Sequence, residues 1–167
     1  MGVIMMISLL RIDDRLIHGQ VAFGWTPALG VNVILVANDE AKNDKFKAMA
    51  LNMAKPSNVK LYIRGVEESG EIAKKFSEST KSNVLIIVKD TKDALALIKN
   101  SGNTIKEVNV GGLRYEKGKQ KLTDLVAVDS NDIENLKEIE RLGVELEFRM
   151  LPRDNKKGLN ELLKENS

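Results

Sequence analysis

The chain holds one histidine, His18. It stands in the segment Arg11-Ile12-Asp13-Asp14-Arg15-Leu16-Ile17-His18-Gly19-Gln20-Val21, directly after the apolar run VIMMISLL at 3–10. A neutral imidazole is a nucleophile near neutral pH and can take up a phosphoryl group. The dianion then formed needs countercharge, and Arg15 offers a planar fork of donors that matches phosphate oxygens. Gly19 permits close backbone approach, and a helix starting there would aim its free N–H groups at the anion. Asp13 or Asp14 could hold an arginine in place, or orient His18 through its other ring nitrogen. A plainer reading uses the same residues. A lone histidine after a strand commonly lies at the surface or caps a helix, and an Arg–Asp cluster is commonly a surface ion pair. Spacing alone leaves both readings open.

Other segments invite chemistry less strongly. Gly111-Gly112 lacks the Lys-Ser/Thr of a P-loop and the third glycine of a dinucleotide fingerprint. A turn passing close to the His18 loop is the better reading, with Asn109 as a supporting residue. Asp39 reads as the cap of its own helix. The basic stretch from Lys117 to Lys121 reads as a solvated hairpin. With a single histidine and no cysteine, no metal site is expected. No Gly-x-Ser-x-Gly elbow is present. The residues call for no cofactor.

The elements that must position His18 alternate along the chain. Continuous apolar or alternating runs at 3–10, 31–37, 59–63, 83–88, 104–110, 125–128 and 144–150 read as strands. Helices are expected from Gly19 towards Leu29 (where Pro27 obscures the end), over 40–54, 66–76, from Asp90 or Thr91 to Asn100, over 131–142, and over 156–165. The helix over 40–54 carries Phe46, Met49, Ala50 and Met53 at helical spacing. Gly111-Gly112 breaks the rhythm, and a polar hairpin centred on Gly118 follows. Repeated strand–helix order implies an α/β fold with a mostly parallel central sheet and helices on both faces. In such sheets sites gather at the carboxyl ends of strands, where His18 falls.

The totals exclude several classes. The 167 residues suit one domain, 1–167, and no repeat or linker divides them. With 43% apolar residues and a formal net charge of +2, the chain is neither disordered nor a dedicated nucleic-acid binder. The absence of cysteine removes disulfides, thiolate metal sites and cysteine nucleophiles. The apolar start MGVIMMISLL is too short to span a bilayer and has neither a basic flank nor a cleavage site. A cytoplasmic protein is expected.

The wording of the first loop is more specific than its composition. Residues 9–21, LLRIDDRLIHGQV, closely resemble the active-site segment of the IIB proteins of the mannose/fructose/sorbose phosphotransferase family. Arg11, Asp13, Arg15, Leu16, His18, Gly19, Gln20 and Val21 match its pattern. Similar markers follow: Trp25, Val36-Ala37-Asn38-Asp39, Met53-Ala54-Lys55-Pro56, Val108-Asn109-Val110-Gly111-Gly112, and a last strand before Pro152. Together they extend the resemblance over residues 6–165. The chain departs at Phe23-Gly24, and Met5 or Met6 would be the usual opening, so residues 1–5 read as an extended start.

The resemblance implies a protein-phosphohistidine–sugar phosphotransferase component. His18 would be phosphorylated on Nδ1 by a IIA partner and would pass the group to a sugar held by membrane IIC and IID components. Arg15 and Asp13 would serve the transfer. Arg11, Gly19, Gln20, Asn109, Gly111 and Gly112 would bind the phosphoryl group or support the loop. The alternative from another class is a non-catalytic regulatory domain using Arg15 and His18 to bind an anion or ligand.

Overall fold

A computed structural model describes residues 7–19 and 21–167. The expected strand start at residue 3, the reading of residues 1–5 and the role expected of Gln20 lie outside the described residues. Strand β1 (Ile7–Asp13) is followed by a π-helical turn (Val21–Trp25), α1 (Thr26–Leu29), β2 (Val33–Ala37), α2 (Asp39–Asn43) and α3 (Lys45–Ala54). Then come β3 (Lys60–Arg64), α4 (Val66–Ser77), β4 (Val84–Val88), α5 (Thr91–Asn100) and β5 (Glu107–Gly112). The chain continues through β6 (Gln120–Lys121), β7 (Ala127–Val128), α6 (Ser130–Arg141), β8 (Glu145–Phe148) and α7 (Leu159–Glu165). Among the described residues no helix is long and apolar enough to cross a membrane.

Six strands form one parallel sheet in the order β3-β2-β4-β1-β5-β8, while β6 and β7 pair antiparallel beside it. Central strands of parallel sheets are covered on both faces and therefore read as unbroken apolar runs. The fully buried VILVA of β2 and VLIIV of β4 are of this kind. Leu10, Ile12, Leu35, Ile86 and Val108 face one core, packed with residues of α4, α5, α6 and α7. Leu9, Ile34, Val36, Leu85 and Ile87 face a second core closed by Val21, Trp25, Ala41 and Leu51. The chain leaves β1 towards β2 on one side, and leaves β5 towards β8 on the other. The crevice between the carboxyl ends of β1 and β5 is therefore a switch point of the sheet.

Several boundaries differ from the sequence expectation. β1 runs on through Arg11 and Asp13, so the first residues of the polar segment are strand, all buried. Gly111 and Gly112 end β5 rather than breaking it. Ile12 pairs with Val110 but Asp13 with Gly112, so Gly111 is an extra residue in β5. Such bulges bend a strand and re-aim side chains beside it.

The single helix expected over 40–54 is two helices. Asp44 interrupts it and caps α3 by accepting from the Phe46 and Lys47 N–H groups. Phe46, Met49 and Met53 turn outward, 83%, 60% and 85% exposed, so their helical spacing does not mark a core face. Asn38, not Asp39, caps α2 through the Ala41 N–H. Asp39 instead accepts from Val66 N–H and caps the start of α4.

Candidate functional site

Alternation along β1 sends Leu10 and Ile12 to one core and Leu9, Arg11 and Asp13 to the other face. Arg11 and Asp13 are wholly buried there. An unpaired charge in that position would cost several kcal/mol, so the pair must be closed internally. Arg11 Nε and Nη2 donate to Asp13 Oδ2 at 3.3 and 3.1 Å. Arg11 Nη1 donates to Asn109 Oδ1 at 2.5 Å and to the Arg149 carbonyl at 3.3 Å. The guanidinium occupies the space where Gly111 has no side chain; a Cβ there would collide with it. A Cβ on Gly112 would come within 3.0 Å of Asp13 Oδ1. The two glycines thus seat Arg11 and Asp13 by absence of bulk.

Asp13 then turns to the loop. Its Oδ1 accepts the Arg15 backbone N–H at 3.0 Å and lies 3.8 Å from Arg15 Nε. Its Oδ2 meets His18 Nε2 at 2.6 Å. Burial pushes the Asp13 carboxyl up, but the His18 hydrogen bond, the Arg11 charge and the Arg15 N–H together hold it below the ordinary carboxylate range. Burial also pulls the Arg11 guanidinium down from its ordinary value, against the opposing charge of Asp13. It remains cationic at neutral pH.

An ionised carboxylate only accepts hydrogen bonds, which assigns the imidazole proton to Nε2 and the lone pair of the neutral ring to Nδ1. His18 is 17% and Arg15 is 42% exposed, whereas Asp13 shows no surface. The turn between them is tight: Leu16 N–H donates to the Asp13 carbonyl, and Leu16 adopts φ 58°. For a residue with a bulky side chain that conformation costs on the order of 1–2 kcal/mol. The His18 carbonyl accepts from Ala22 N–H, one residue before the helix start expected at Gly19. Gly19 is exposed beside it.

Asp14 does a different job from Asp13. Its Oδ2 accepts the Arg114 backbone N–H at 2.9 Å and ties the segment after β5 to the His18 loop. Two shallow pockets, of about 280 and 240 Å³, flank this loop, and Asp14 and Arg15 line both.

Three residues of the site were not singled out for it by sequence. Glu147 lies beside Asn109 in the β5–β8 register and accepts from its Nδ2 at 3.1 Å. Arg149 clasps Glu147 with two bonds of 3.0 Å. The Trp25 ring, quoted above only for the resemblance, has the Arg11 guanidinium 5.3 Å and the Arg149 guanidinium 5.0 Å from its centroid, and its Nε1 donates to the Met150 carbonyl. A signal was present: Asn109 is a polar residue inside the apolar alternation of β5, and a buried amide requires partners. What the sequence lacks is the neighbour strand that supplies them.

A family model described as "PTS system sorbose subfamily IIB component" matches residues 7–167. The chain belongs to this phosphotransferase-system IIB family. Members transfer phosphoryl groups in sugar uptake. The chain is 32% identical over 152 residues to the "PTS system sorbose-specific EIIB component" of Klebsiella pneumoniae, covering 90% of each chain. It is 34% identical to the "PTS system mannose-specific EIIAB component" of Escherichia coli K12, over 95% of this chain but only 49% of that one. The crystal structure of the IIB domain of the Klebsiella pneumoniae sorbose permease superposes with a TM-score of 0.86 at 29% identity, covering 96% of this chain and 98% of that one. The α/β fold expected from sequence is thus the IIB fold.

Proposed function

We propose that His18 is the phosphoryl carrier of this IIB chain, reacting through Nδ1. The observation that carries the reading is the Asp13–His18 contact of 2.6 Å, which leaves Nδ1 as the ring nitrogen with a lone pair. The donor is a phosphohistidine on a IIA partner. The mannose relative, whose name joins IIA and IIB in one chain, supports that partner. In the transfer, Nδ1 attacks phosphorus, the donor's N–P bond breaks, and its electron pair returns to the donor ring. His18 keeps its proton on Nε2 and donates it in a hydrogen bond to Asp13, whose charge stabilises the positive character the ring acquires. The Arg15 guanidinium supplies donors to the moving oxygens, the main requirement of a reaction governed by alignment and charge.

In the second half-reaction a hydroxyl oxygen of a sugar held by membrane IIC and IID components attacks phosphorus, with this chain at the cytoplasmic face of those components. The His18 Nδ1–P bond breaks with its electron pair returning to the ring, and the hydroxyl proton leaves to solvent. Arg11, Asn109, Gly111 and Gly112 act as loop support beneath Asp13; Gly19 lies next to the phosphorylated ring.

The test is phosphoryl transfer from the upstream phosphocarrier chain through phosphorylated IIA. Wild type should gain acid-labile label on one site, and His18→Ala none. Label on His18→Ala, or reversible anion binding by wild type without any label, would sink the reading and favour a non-catalytic domain.

A further inference from the structure

Deepening the proposal that His18 is the carrier, we infer that the Glu147–Arg149 pair is a positioning device: acting through Asn109 and Arg11, it holds Asp13 against Nε2 of His18. The Asn109 amide is the joint. Its two ends differ, since Oδ1 accepts and Nδ2 donates. Arg11 Nη1 can only donate, so Asn109 serves it only with Oδ1 forward, as found at 2.5 Å. The Glu147 carboxylate can only accept, and it takes Asn109 Nδ2 at 3.1 Å, while the Arg149 carbonyl takes the same group at 3.1 Å. Glu147 and the Arg149 carbonyl therefore hold the amide in the direction that Arg11 needs. The amide holds Arg11, and Arg11 holds the same Asp13 oxygen that meets His18.

Arg149 completes the device. It neutralises Glu147 through paired bonds and anchors the segment after β8 by donating to the Pro152 carbonyl at 2.8 Å. Trp25 lies against both guanidiniums. Within the described residues no buried side-chain polar atom is left without a partner. A satisfied network of this kind is rigid, and removal of one member propagates along it.

His18 is the sole histidine, so nitrogen-15 signals of labelled histidine report one ring. In wild type the neutral ring should be the Nε2–H tautomer. In Glu147→Gln, one carboxylate oxygen becomes an NH2 group, so Arg149 loses one of its two paired bonds and its countercharge, and the support that Glu147 and Arg149 give to Asn109 and Arg11 loosens. The share of Nε2–H should fall. Acceptance of the phosphoryl group should slow roughly ten- to a hundredfold, as when the group orienting a reactive imidazole is altered, with KM for IIA unchanged. Arg149→Lys keeps the charge and one bond to Glu147, and should lose less. It carries the test if Glu147→Gln does not fold. Wild-type ring signals and rate in either folded variant overturn the inference. The ring signals are read on unphosphorylated protein, so they stand apart from the labelling of His18 that tests the carrier itself.

Discussion

The Asp13 carboxylate reaches His18 Nε2 at 2.6 Å from inside the sheet, with none of its own surface exposed. A partly exposed imidazole is thereby held by a buried, immobile anion. That anion is in turn fixed by Arg11, whose guanidinium is buried in the gap over Gly111.

Asp13→Asn keeps the shape but replaces an obligate acceptor with a group that can donate. The neutral His18 ring can then turn over to the tautomer with the proton on Nδ1. Phosphoryl acceptance should fall by roughly a hundred- to ten-thousandfold, as when a histidine base is left in the wrong tautomer. Single-turnover transfer from phosphorylated IIA checks this; a loss under threefold would remove Asp13 from the mechanism.

Arg15 should matter as a fork and not only as a charge. Arg15→Lys should slow transfer by roughly ten- to a thousandfold, the range for a lost donor to a charged transition state. Because Arg15 is 42% exposed, the thermal midpoint should hardly move. An unchanged single-turnover rate would contradict the role.

Gly111→Ala places a methyl group in the space held by the Arg11 guanidinium. Relief requires Arg11 to leave Asp13 or Asn109, so the variant should lose about 2–4 kcal/mol of stability. Urea denaturation measures it directly. A loss below about 0.5 kcal/mol would mean that Arg11 can be seated elsewhere.

Acid should uncouple the pair. Asp13 is held below its unfolded carboxylate range despite burial, chiefly by the His18 bond and the Arg11 charge. Its contribution to stability is therefore complete above the usual carboxylate pKa of about 4 and is lost as pH falls through the lowered folded value. The stability difference between wild type and Asp13→Asn, followed by urea denaturation, should hold steady down to a pH of about 4 and shrink below it. A constant difference would show that folding leaves the Asp13 pKa unchanged, and a difference that grows towards acid would show that Asp13 is not ionised in the folded protein.

Much of this protein is local in its sequence. Apolar runs such as VILVA and VLIIV and the amphipathic stretches between them define strands and helices through short-range periodicity, and their alternation leads to a parallel α/β sheet. The His18 segment was legible because strand, loop and helix start are contiguous, and its resemblance to the IIB motif runs over successive residues. Asn109 and the two glycines could be read as loop support.

Tertiary structure alone decided the rest. Asp13 and Asp14 are adjacent and chemically equal, yet strand alternation and burial give one to His18 and the other to Arg114. Asp39 caps the helix after β3 because β2 and β3 are neighbours, a pairing that no local pattern records. Phe46, Met49 and Met53 repeat like a core face and point to solvent, since Asp44 breaks the helix and sets the orientation of α3. Glu147 and Arg149 join the site only because β8 is placed beside β5 and carries Glu147 level with Asn109. Side-chain type and short spacing are encoded along the chain, but the sheet order that brings residues 11, 13, 109, 147 and 149 into one buried row depends on contacts far apart in sequence.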